Sequence, residues 1–125
     1  MLQLTDARRI IAAATAEAEK IGQPMNIAVV DEGGNLLAFE RMANAWLGSI
    51  DISIKKVWTS RAFDIETKAL GENSQSGDQF FGIHASNDGK VMIFAGGVPL
   101  KQDGKVVGGL GKQDQAVVEA GAKAL

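Results

Sequence analysis

The sequence predicts an α+β domain of three layers, an antiparallel sheet of about five strands with helices on both faces. Three observations lead there. Apolar residues recur at helical spacing near the start, a run that is apolar on both alternating faces follows, and glycine-centred turns join short strands into hairpins. Hairpin connections make the sheet antiparallel, and the helices must then cover its faces.

Taken in order, Leu4, Ala7, Ile11, Ala14, Ala18 and Ile21 are spaced by threes and fours, a helical stripe. Thr5 or Asp6 can accept from the open N–H groups at its start, and Gly22 with Pro24 ends it. Asn26 to Asp31 and Leu36 to Arg41 flank Gly33-Gly34 and read as a hairpin, its first strand covered on both sides. Ser49 to Phe63 fits both periods, because Ile50, Ile52 and Ile54 alternate while Ile50, Ile54, Val57 and Trp58 fit a helix. Length, Ser49 as a cap and Asp51 in the first turn favour the helix. A short helix over Glu66 to Leu70 closes at Gly71, and Glu72 to Asp78 is a loop. Ile83 to Ser86 and Val91 to Ala95 then read as strands about the turn Asn87-Asp88-Gly89. Val98 to Lys101 and Lys105 to Leu110 form a hairpin about Asp103-Gly104, and Gln113 to Leu125 is a last helix.

A chain of 125 residues is one domain's length, so a single domain over residues 1–125 is expected. Hydrophobic and charged fractions of 46% and 22% are those of a globular protein. A net charge of -2 with scattered Lys and Arg argues against a nucleic-acid or anionic-membrane surface. The absence of Cys excludes disulfides, thiolate zinc, iron–sulfur clusters and cysteine nucleophiles. No apolar run approaches the roughly 20 residues a bilayer needs, and the N-terminal stretch lacks a signal-peptide pattern, so the expectation is a cytoplasmic protein.

No catalytic constellation is legible. His84 is the only histidine and the one side chain of its kind for an iron or other metal ion, although a half-exposed strand histidine explains it as well. One histidine rules out a His-rich metal site, a carboxylate-only site for Mg²⁺ is left open but unmarked by any motif, and no metal is expected. Gly96-Gly97-Val98-Pro99 lets backbone approach a ligand or a neighbouring subunit, or marks a bulge. Lys55-Lys56 can bind a carboxylate, with Arg41 nearby if the hairpin packs there, or can be a solvated helix face. Met1, Met25, Met42, Met92, Trp46, Trp58, Phe80 and Phe81 can line an apolar pocket or fill the core.

Several stretches in order resemble the GlcG/HbpS-like, or haem-degrading domain, family. They are Ala28 to Leu36, Phe39 to Met42, Leu47-Gly48-Ser49 with Lys56 and Thr59, Gly96 to Leu100, and Gly104 to Gly111 followed by Gln113-Asp114. The chain departs from the family after Gly111, where members usually continue Gly-Val-Ser-Gly-Gly and this one runs straight into Lys112. The resemblance implies a profilin-like fold, homo-oligomers built from dimers, and haem as the recurrent ligand. It extends to the C-terminal domain of PduO-type cobalamin adenosyltransferases.

Three functions follow as expectations. The first is a ligand-binding accessory protein for haem or a related tetrapyrrole, with Arg41, Lys56, His84, Gly96, Gly97 and Pro99 as candidate binding residues. The second is an enzyme on a small carboxylate such as a 2-hydroxy acid. Lys56 or Arg41 would clamp the acid there, and Asp31 or Glu40 would be the base. The third is an assembly module.

Overall fold

The computed structural model describes residues 1–111 and 115–125. Its elements are helix α1 (Leu4–Lys20), strands β1 (Asn26–Asp31) and β2 (Leu36–Arg41), helices α2 (Gly48–Phe63) and α3 (Thr67–Glu72), strands β3 (Gly97–Gln102) and β4 (Lys105–Gly111), and helix α4 (Gln115–Ala122). Gln113 and Asp114, read as the start of the last helix, lie outside the described residues. Among the described residues the sheet has four strands in the order β2-β1-β4-β3, every pair antiparallel.

The two faces of β1 explain the layers. Ile27 and Val29 pack with Ile10, Ile11 and Ala14 of α1, Val117 and Val118 of α4, and Leu110 of β4. Ala28 and Val30 point the other way, onto Val57 of α2. A strand apolar on both faces is therefore one sandwiched between helices. No helix among the described residues is long and apolar enough to cross a membrane.

Helix α2 buries an unusual face. Its buried residues are Ser49, Ser53, Lys56, Val57, Thr59 and Ser60, all but one of them polar. The hydroxyls turn back on their own helix, Ser53 Oγ donating to Ile50 O at 3.0 Å and Ser60 Oγ to Val57 O at 2.9 Å. Small side chains bring the helix backbone down onto β3 and β4, where glycines receive it. A Cβ on Gly97 would stand 2.7 Å from Lys56 O, and one on Gly111 would stand 2.5 Å from Ser53 O.

Four expectations are corrected. The sheet has four strands, not five, because Val91 to Ala95 does not join it. That segment lies across α2, held by side chains of the helix in place of a strand ladder. Thr59 Oγ1 accepts from Met92 N (3.0 Å) and shares its one proton between Lys55 O (2.8 Å) and Lys90 O (3.1 Å), and Lys56 Nζ donates to Ala95 O (2.8 Å). Ile83–Ala85 and Asn87–Gly89 are 3₁₀ turns, not a strand and a hairpin turn, with Gly82, Asn87, Asp88 and Gly89 all at positive φ. Ser49 is not the cap of α2. It sits inside the helix and is buried, and Leu47 precedes the first helical residue without a side-chain cap. Finally, α1 begins before Thr5, and Asp6 acts from the first turn, accepting from Gln3 N at 2.8 Å. That bond holds its carboxyl below the usual carboxylate range.

Candidate functional site

Among the described residues, Lys56 is the largest side chain that the fold buries completely, 1% exposed. A lysine is rarely buried unless its ammonium is satisfied. Here Nζ donates to Ala95 O and lies 4.3 Å from the centroid of the Phe94 ring, within cation–π range. Desolvation pushes its pKa down from 10.5 to about 8.

The lysine lines a cleft of about 330 Å³ with Gln23, Met25, Trp46, Ser49, Ile52 and Phe94. Three elements build it. Ser49, Ile52 and Lys56 are three and four residues apart and so share one flank of α2. Gln23 and Met25 come from the link between α1 and β1, and Phe94 from the segment before β3. Trp46 is placed by Asn26, whose buried amide donates to Trp46 O at 3.0 Å. The mouth is apolar and open to water, Trp46 being 75% exposed, Leu47 beside it 83% and Phe94 50%. The arrangement offers flat aromatic faces at the rim and one positive charge within.

The lysine pair divides at α2, since neighbouring positions on a helix point about 100° apart. Lys55 lies on the other flank, in an ion pair with Asp51 at 3.0 Å. There it lines a second cleft of about 250 Å³ with Leu36, Ile54, Trp58 and Lys90.

The remaining candidates lie outside the Lys56 cleft's lining. Arg41 is exposed at the end of β2, opposite Asn26 in the register. His84 is exposed on the 3₁₀ turn Ile83–Ala85. Gly96 is buried at φ +125°, and Gly97 N donates to Thr67 Oγ1 at 2.9 Å while its missing Cβ makes room for α2. Pro99 sits on β3, an edge strand, opposite Gly109. Of the two carboxylates considered as bases, Asp31 accepts from Gly33 N and Asn35 N in the hairpin turn, and Glu40 is exposed on β2. Neither lines the cleft. Sequence reasoning missed Phe94, Gln23 and Ile52. The helical spacing of Ile52 with Lys56 was the one available signal.

Thr59 bears on the cleft indirectly, because it anchors the segment that carries Phe94. Thr59→Val keeps the shape and removes the hydroxyl, leaving Met92 N without its acceptor and Lys90 O without its share of the hydroxyl proton. It is expected to cost about 1 kcal/mol in urea unfolding.

Comparison with known proteins gives the following. A family model described as haem degrading protein HbpS-like matches residues 2–123. An uncharacterised 15.0 kDa protein from the dhaT-dhaS intergenic region of Citrobacter freundii is 33% identical over 124 residues, 94% of this chain and 87% of its own length. The corrinoid adenosyltransferase PduO of the same organism is 32% identical over 130 residues. The match spans 99% of this chain but only 39% of that protein. Among solved structures, a PduOC–haem complex superposes with a TM-score of 0.95 at 30% identity, covering 99% of this chain and 94% of that one.

Proposed function

Because this chain belongs to the haem degrading protein HbpS-like family, we propose that it is a small ligand-binding accessory protein for haem or a related tetrapyrrole. The single observation that carries the reading to particular residues is the cleft at Lys56. Trp46, Ile52 and Phe94 suit the apolar body of a macrocycle, and Lys56 supplies positive charge for an acid group at its edge. At about 330 Å³ the cleft is at the low end of small-molecule sites, so one part of a macrocycle enters and the rest lies against Trp46 and Phe94. The haem complex of PduOC supports the same ligand. A homo-oligomer built from dimers is part of the same proposal, and exposed Leu47 is apolar surface that a neighbouring subunit would cover.

Haemin titrated into the protein should give a saturable Soret shift. Trp46→Ala combined with Phe94→Ala removes both aromatic faces from exposed positions, so folding is little affected. Binding should weaken at least about tenfold, the loss of two stacking contacts. A wild-type protein without a saturable shift, or a double variant that binds as tightly as wild type, would refute the assignment to this cleft.

A further inference from the structure

Resting on the tetrapyrrole reading, we infer that this cleft selects the macrocycle and its acid groups, not the iron, so that haem and iron-free porphyrin bind with similar strength. A site that selects iron presents an axial nitrogen, sulfur or phenolate to the face of the ring. This sequence has one His, no Cys and no Tyr. His84 lies exposed on its 3₁₀ turn and is absent from the cleft's lining. Any histidine brought by a second copy of the chain would again be His84.

Among the described residues of the lining, the Gln23 carboxamide and the Ser49 hydroxyl are not of the classes that hold haem iron, which leaves a thioether and an amine as donors. Met25 is fully buried and belongs to the core cluster formed with α1 and the sheet. Lys56 Nζ is held at 2.8 Å by Ala95 O, beneath the Phe94 ring. Exposed in the lining are the carboxamide of Gln23 and two rings, the indole of Trp46 and the phenyl of Phe94. Aromatic rings bind another π system through its face, and neither offers a lone pair to a metal.

The test is a pair of titrations on the same protein, protoporphyrin IX and haemin, both followed by quenching of tryptophan fluorescence and haemin also by its Soret band. The two dissociation constants should agree within about tenfold, and the haemin value should stay within that factor in His84→Ala and in Met25→Leu. Met25→Leu conserves volume, which keeps a core position foldable. Haemin binding more than about tenfold tighter than protoporphyrin, or a loss of that size in either variant, would overturn the inference while leaving the tetrapyrrole reading intact. Saturable binding of neither ligand would overturn both.

Discussion

Gly97→Ala and Gly111→Ala are each expected to cost about 3 kcal/mol, seen as a lower urea midpoint at unchanged slope. The added methyl has no flexible neighbour to displace. At Gly97 it would stand 2.7 Å from Lys56 O and 2.8 Å from Thr67 Cγ2. At Gly111 it would stand 2.5 Å from Ser53 O and 2.7 Å from Val57 N. These are mostly backbone atoms of α2, so relief requires the whole helix to lift from the sheet. Lifting it would open the small-residue contact of Ser53, Val57 and Ser60 and pull Lys56 away from Ala95. Gly48→Ala is the control, since its Cβ meets nothing within 4 Å and the position opens α2. That substitution should be neutral or stabilise by up to about 1 kcal/mol. Equal losses at all three positions would mean that the close approach of α2 is not what the glycines serve.

The same contact explains what the sequence conceals. Helix α1 and the first hairpin are legible because their periods report burial against ordinary apolar partners, Ile10 and Ile11 against Ile27 and Val29. Helix α2 is ambiguous because it buries Ser53, Thr59 and Ser60, while its isoleucines Ile52 and Ile54 are only partly covered. With glycines opposite, the small side chains face the sheet and the apolar signal falls elsewhere. Val91 to Ala95 misleads in the reverse sense. Its residues look like a strand, yet only Val91 is buried, and the segment is fixed by the hydroxyl of Thr59 and the ammonium of Lys56. Side chains distant in sequence set that path, and no local period encodes it. Lys56 was recognisable as a charge near the site. Its burial was not, because burial depends on Phe94 folding back across the helix from 38 residues further along the chain.

That burial makes stability depend on pH. Lys56 titrates at 10.5 when solvated and at about 8 in the fold. Between those values the unfolded chain holds the proton and the folded one does not, so stability rises with pH across the window. Below about pH 8 both states are charged, and the folded protein carries the full cost of desolvating the ammonium. In Lys56→Met, which keeps the length of the side chain without the charge, this cost is absent at every pH. Both proteins share all other titrating groups, so the difference between them isolates Lys56. Measured by urea unfolding from pH 7 to pH 10, wild type should gain on the variant by on the order of 2 kcal/mol, a figure reduced from the full shift for water in the open cleft. The gain should begin near pH 8. A constant difference across the range would show that the ammonium stays solvated, and the cleft would then lack the dry, charged floor that an acid group of a ligand is expected to meet.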